Sequence, residues 1–317
     1  MSEEEIVYKM NELSLKIDEA RKKKDIIALY EEYAEMFFSN KAYRMAVDIY
    51  LVLIEMKPSK KKKAEYFVKL GDIEAAQKSY NESIEYYSSA LSLYKKNNNI
   101  RCKIGDILLQ SNLYGLAEQC FKDILDLDKN SDYAKRKLGD IYFWQKKYST
   151  ALKYYESVSP SYYDKEIIAN FSECYKNLNN YKKAIMLVDD FIEEHADSDL
   201  YLLSGLLYAE TGNVPKAKEQ FFSAVEADPN NFAACVNLAA IYLDNGDMDK
   251  AEEMLKKANL INSYTAVVDM MFASIAYKKG RLYEARRYAS NAVLKSKRPF
   301  LKQQSQRMLD FLTKSDK

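Results

Sequence analysis

An all-α solenoid of stacked helical hairpins is predicted by three observations. Glycine is scarce, with 8 Gly and 5 Pro in 317 residues, far below the usual ~7% Gly, and sheets or doubly wound folds would need more turn glycines. One phrase recurs: Lys69-Leu-Gly-Asp-Ile73, Lys103-Ile-Gly-Asp-Ile107 and Lys137-Leu-Gly-Asp-Ile141, spaced 34 residues apart. Twelve residues after each of these glycines comes a small residue (Ser83, Ala117, Ala151), and four further on an aromatic (Tyr87, Phe121, Tyr155). A fixed period of this length marks a repeat array in which each unit buries its apolar face against the next.

The elements follow in order. Residues 1–26 form an N-terminal capping helix, with Ser2 and Glu5 as a capping box and Ile6, Met10, Leu13 and Ile17 on one stripe. Eight hairpins then occupy 27–299, at 27–60, 64–97, 98–131, 132–164, 165–197, 198–231, 232–265 and 266–299, with Lys61, Lys62 and Lys63 inserted after the first. Residues 300–317 form a C-terminal capping helix and tail, with Leu301, Met308, Leu309 and Leu312 turned inward. Within each hairpin, position 8 is Ala, Gly or Ser (Ala34, Gly71, Gly105, Gly139, Ser172, Gly205, Ala239, Ala273) and position 20 is Ala or Ser (Ala46 through Ala285). These sites are expected to face each other where the two helices cross, because axes about 8–10 Å apart leave no room for a branched side chain. Position 24 carries the bulky filler, such as Tyr50, Tyr87, Phe121, Tyr155 and Phe221.

The pattern resembles the tetratricopeptide repeat, two antiparallel helices in 34 residues. Ala209-Glu-Thr-Gly212 and Asp228-Pro-Asn-Asn231 carry the resemblance best, with Gly closing the first helix and Pro just after the second. Departures occur at position 4, where Arg101, Lys135 and Asp269 replace a bulky residue, and at position 11, where Glu74 predicts that its helix ends early or tilts. The resemblance implies a right-handed superhelix whose first helices line a concave groove through positions 2, 5, 6, 9, 12 and 13.

Read at those positions, the groove has two halves. The first is charged: Lys69, Lys103 and Lys137 each stand three residues before an Asp, so the two are expected to be neighbours on one helix face. The pairs form either a self-neutralising ladder or a polar track for a charged, extended partner. Tyr133, Arg136, Phe143 and Trp144 fall on the same face; the single Trp marks either an interface centre or packing on the next repeat. The second half is apolar, with Leu202, Leu203, Leu206, Val236, Asn237, Met270 and Met271. Contiguous apolar surface of this kind marks a binding or self-association site, or else tighter closure and burial under the terminal helix. Asn170 and Asn237 occupy position 6, where the resemblance implies contact with a ligand's main chain; an amide supplies both donor and acceptor. The clamp by which some members hold the carboxylate tails of chaperones is not matched by any three successive repeats: Val68 and Asp72, then Lys103, then Tyr133 and Lys137 put an acid where a carboxylate would bind.

Other chemistry is largely excluded. Lys+Arg is 48 and Asp+Glu 47, a balance that argues against broad phosphate neutralisation and hence against nucleic acid as partner. The sole histidine, His195, stands in an acidic surface stretch, and Cys102, Cys120, Cys174 and Cys235 include no CxxC pair, so no metal or cofactor is expected. The acidic start and the short apolar run at 200–209 argue against a signal peptide or membrane span and for the cytoplasm. The basic runs 21–24 and 60–63 are read as solvated loops. The function expected is a non-enzymatic interaction scaffold or adaptor that binds an extended peptide or amphipathic helix. The alternative is a structural subunit of a homo-oligomer or larger machine.

Overall fold

The computed structural model describes residues 2–20 and 22–314. All regular elements among them are helical, and the chain forms two compact units, Met1–Tyr162 and Tyr163–Lys317. The first unit begins with α1 (Glu3–Glu19) and continues as helix pairs: α2 (Lys23–Ser39) with α3 (Tyr43–Glu55), α4 (Lys60–Ala76) with α5 (Tyr80–Leu93), α6 (Asn98–Gln110) with α7 (Tyr114–Leu127), and α8 (Asp132–Trp144) with α9 (Tyr148–Tyr155). The second holds α10 (Lys165–Asn177) with α11 (Tyr181–Glu194), α12 (Ser198–Glu210) with α13 (Val214–Ala227), α14 (Phe232–Asp244) with α15 (Met248–Ile261), α16 (Ala266–Lys278) with α17 (Leu282–Lys295), and α18 (Pro299–Lys314). This is a tetratricopeptide-type helical solenoid.

Each pair reverses through one left-handed residue. Lys41, Lys78, Asn112, Lys146, Asn179, Gly212, Gly246 and Gly280 all have positive φ and stand two residues after the first helix ends. Around Lys41 the bonds are Lys41 N–H to Phe38 O (2.9 Å) and Ala42 N–H to Phe37 O (2.8 Å), the two-bond closure that satisfies the last carbonyls of a helix. So short a turn forces the second helix back antiparallel to the first.

The crossing of each pair explains the small residues. A Cβ on Gly71 would lie 2.5 Å from the Tyr87 ring, and one on Gly139 would lie 2.5 Å from Tyr155. The space is thus claimed by position 24, while position 20 meets position 8 through its backbone: Ser83 Oγ donates to Gly71 O at 2.9 Å. At the start, Ser2 Oγ accepts from Glu5 N–H and the Glu5 carboxylate accepts from Ser2 N–H. Leu13 is buried with Tyr33, Phe37 and Ile49, and Ile6, Met10 and Ile17 pack around them. At the far end, Leu312, Met308 and Leu309 pack on Ala273, Ala276, Ala285 and Ala289.

Three expectations are corrected. Residues 60–63 are not a loop: Ser59 Oγ accepts from Lys62 N–H and α4 begins at Lys60. Likewise Lys23 and Lys24 open α2, while Arg21 of that run lies outside the described residues. Helix α4 runs through Glu74 to Ala76 without ending early, because Ile73 and Leu70 are both fully buried and hold its last turns in the core. Helix α9 is short, ending at Tyr155, where the chain turns through Ser157 N–H to Tyr154 O (3.0 Å) and Val158 N–H to Tyr155 O (3.1 Å) before a 3-10 turn at Pro160–Tyr162.

Candidate partner-binding grooves

In the first unit the charged positions form a ladder that runs between pairs. The Glu35 carboxylate accepts from Tyr50 Oη at 2.5 Å and lies 2.7 Å from Lys69 Nζ of the next pair. Asp72 accepts from Tyr87 Oη at 2.6 Å and from Lys103 Nζ at 2.7 Å. Asp106 accepts from the Tyr133 hydroxyl and lies 3.4 Å from Lys137 Nζ. Asp140 accepts from Tyr155 Oη at 2.7 Å, with Arg136 Nε 3.9 Å away. Each lysine therefore pairs with the acid of the preceding pair and not with the Asp three residues ahead, as its sequence spacing suggested. Helical side chains lean toward the N-terminus, so Lys69 is aimed away from Asp72 and toward the neighbouring helix. Phe121 lacks a hydroxyl, and Tyr133 takes over that role for Asp106. Burial raises the Tyr50, Tyr87 and Tyr133 pKa well above the usual value, and the carboxylate each one faces raises it further. Burial alone would raise the Glu35 pKa, but bonds from Lys69 and Tyr50 outweigh it and leave it below the usual range.

The residues expected on this charged face divide. Tyr133, Arg136, Lys103 and Lys137 join the carboxylates. Phe143 and Trp144 pack on residues that open second helices: Phe143 stands edge-on to Tyr148, and Trp144, half exposed, tilts against Tyr114 at 6.1 Å. A cleft of about 340 Å³ beside α4 and α6 has Ala64, Val68 and Ile100 in its wall, and its Lys69 and Lys103 are engaged in the ladder.

In the second unit, Leu202, Leu203 and Leu206 of α12 face Ala169 of α10 across an apolar groove of about 400 Å³. Lys165 closes one end, 3.3 Å from Asp197 and 3.1 Å from Asp199. Lys176 of α10 bridges Glu173 (2.7 Å) and Glu210 (3.5 Å). Leu206 is 38% exposed, whereas Leu202, Val236 and Met271 lean partly into the core around Leu238 and Phe272. Met270 and Asn170 are partly buried. Asn237 Nδ2 donates to Ala233 O at 2.8 Å, so its donor is turned onto its own helix.

Two features were not singled out from sequence. Leu260 and Leu294 are 87% and 78% exposed; they share a register position that is acidic in four of the other six repeats (Glu55, Asp126, Glu193 and Glu226), which was the available signal. Asp269, noted only as a departure, is buried and lies 2.6 Å from Lys295 Nζ. Burial raises its pKa and Lys295 opposes that rise.

Among the described residues no group of three or more His, Cys, Asp or Glu could hold a metal ion, and no helix is long and apolar enough to cross a membrane. Burial pushes the Cys102 and Cys120 thiols up to about 11, so neither is a ready nucleophile at neutral pH. The His195 ring stacks on Phe191 at 4.4 Å.

Sequence models described as tetratricopeptide repeat match residues 63–97, 102–161 and 208–266. Among curated proteins, the uncharacterized protein ycf37 of Pyropia yezoensis is 31% identical over 105 residues, 33% of this chain and 54% of that protein. Cilia- and flagella-associated protein 70 of Homo sapiens is 31% identical over 106 residues, 33% of this chain and 9% of that protein. The matches thus span about half of the first relative and about a tenth of the second. Among solved structures, the C-terminal part of a TPR repeat-containing protein from Cytophaga hutchinsonii superposes with a TM-score of 0.61 at 18% identity, covering 73% of this chain and 95% of that one. The Cut9–Hcn1 hetero-tetramer of the APC/C gives 0.51 at 13% identity, covering 92% and 56%. Those structures share the fold; the matched repeats, the eight left-handed turns and the small residues at every helix crossing identify this chain as a member of the tetratricopeptide-repeat family.

Proposed function

We propose that this chain is a non-enzymatic scaffold or adaptor, and that it binds an extended peptide or an amphipathic helix of a protein partner in a groove lined by its first helices. The repeats at 27–60, 64–97, 98–131, 132–164, 165–197, 198–231, 232–265 and 266–299 are its units, with helical caps at 1–26 and 300–317, and its setting is the cytoplasm. The observation that carries the reading is the apolar groove of Leu202, Leu203 and Leu206, a partly exposed aliphatic surface closed at one end by charge. Peptide recognition by grooves reuses such a surface: apolar anchors supply affinity and flanking charges set register. The ladder of the first unit is the poorer docking surface, since its lysines and carboxylates already satisfy one another. A photo-crosslinking residue placed at Leu206 is expected to capture a discrete partner, while one at Leu116, 59% exposed, does not. Equal capture at both positions, or none at Leu206, refutes the groove reading.

A second reading, a structural subunit with its apolar surface permanently buried, is favoured by Leu260 and Leu294, whose exposure is unusual for consecutive repeats. It predicts a stable assembly that survives high salt in light scattering, and a salt-resistant monomer refutes it.

A further inference from the structure

Cations gather at the α1–α2, α3–α4 and α5–α6 junctions. The segments 22–24, 57–63 and 95–96 hold ten lysines and no acid. Contacts tie the three junctions into one edge: Lys23 Nζ donates to Met56 O at 2.8 Å, Lys60 lies over the Tyr94 ring at 6.0 Å, and Arg101 donates to Lys95 O at 2.6 Å. Glu31 holds Lys62 from outside the strip at 2.8 Å. The placement works against helix electrostatics. Residues 23–24 and 60–63 form the first turns of α2 and α4, where the macrodipole favours acids. Such a strip asks for an anionic partner.

This chain carries a matching surface of its own. In the second unit the stretches 193–199 and 226–232 hold Glu193, Glu194, Asp197, Asp199, Glu226 and Asp228 and neither lysine nor arginine, whereas the same register around 57–63 adds only Glu55 and Glu65 to its five lysines. Lys165 reaches Asp197 and Asp199 from α10, which leaves a surplus of negative charge. We propose that the lysine edge of the first unit docks on the acidic edge of the second unit in another copy of this chain. Two unlike surfaces make the contact heterologous, so it extends head to tail into a short open chain or a ring. Exposed charge pairs are individually weak and screened by salt, so the assembly is reversible and strongest at low ionic strength. The contact is made by the junction acids and not by Leu202, Leu203 and Leu206, although Asp199 also stands at the end of their groove, and it goes beyond the groove reading.

The test is light scattering across a dilution series at about 20 mM and about 0.5 M salt, screening lengths of roughly 20 Å and 4 Å. Wild type is expected above 36.8 kDa at low salt, with mass rising with concentration, and at that mass at high salt. A basic-to-acidic variant, Lys60→Glu/Lys61→Glu/Lys63→Glu, and an acidic-to-basic variant, Glu193→Lys/Glu194→Lys/Glu226→Lys, should each be monomeric at low salt with helical circular dichroism intact. Mixing the two should restore association, because each then presents edges complementary to the other. A wild type that stays monomeric at low salt overturns the proposal, as does association that persists in either variant alone. So does a lysine edge that retains a single-stranded oligonucleotide while the protein remains monomeric, since that would identify nucleic acid as the occupant.

Discussion

Lys103 Nζ lies 2.7 Å from the Asp72 carboxylate, 31 residues back, and that same carboxylate takes the Tyr87 hydroxyl. One acid thus joins the second helix of its own pair to the first helix of the next. Lys103 and Asp72 keep 43% and 25% of their side-chain surface exposed, so the ion pair itself is weak. A double-mutant cycle of Lys103→Met with Asp72→Asn should return a coupling below about 1 kcal/mol. Tyr87→Phe, which removes a hydroxyl from a buried ring bonded to a charged group, should cost about 1–2 kcal/mol in urea unfolding. A coupling well above the Tyr87 effect would show that the ion pair, and not the tyrosine, dominates.

The helix crossings make a sharper demand. Gly139→Ala places a Cβ 2.5 Å from the Tyr155 ring, whereas a Cβ at Gly115 meets nothing within 4 Å. Overpacking of this kind should cost about 1–3 kcal/mol at Gly139, while Gly115→Ala should gain up to about 1 kcal/mol from helix propensity. Thermal unfolding of the two variants checks both, and equal effects would contradict the packing seen here.

Lys146 holds φ of 59° at a turn where Gly212, Gly246 and Gly280 serve equivalent pairs. Lys146→Gly should therefore stabilise the protein by about 1 kcal/mol through relief of the left-handed conformation. Gly246→Ala should cost about as much. Chemical denaturation midpoints measure both.

Asp269 is buried and pairs at 2.6 Å with the partly exposed Lys295. Removing one partner from such a pair costs about 3–5 kcal/mol, so Lys295→Met should be strongly destabilising at neutral pH. The deficit should shrink on acidification, because the folded carboxyl pKa, already raised by burial, rises further and the folded state then takes up the proton more readily than the unfolded one. The wild type behaves oppositely at the partly buried Glu252. Glu252 is held at about 2, below its usual 4.5, by Lys279 and Lys256 against some burial; its contribution is full above the unfolded value and fades as pH falls from about 4.5 to about 2. Stability measured against pH should separate the two trends.

Much of this fold was legible because its determinants are local and periodic. Position 8 needs a small residue wherever a ring from position 24 fills the crossing, and that demand repeats every 34 residues. What the pattern could not convey was which neighbour a charged side chain chooses. Lys103 stands beside Asp106 in sequence, yet the tilt of helical side chains turns it to Asp72. The lysines at 60–63 resemble a loop by composition, but Ser59 caps them into α4. The apolar positions of the second half also diverge: Leu203 and Leu206 line an open groove, whereas Val236 and Met271 are drawn toward the core. That outcome depends on how closely neighbouring pairs pack, which one hairpin's sequence does not encode.

Whether the α10–α12 groove binds a protein segment through its leucines can be read directly from what the protein carries with it. The most direct measurement is co-purification from source lysate with wild type, with Leu203→Glu/Leu206→Glu and with Lys103→Met, each checked for helical circular dichroism. One partner is expected to be shared by wild type and Lys103→Met and lost from the doubly substituted groove. Retention of that same partner by a folded Leu203→Glu/Leu206→Glu protein would contradict it.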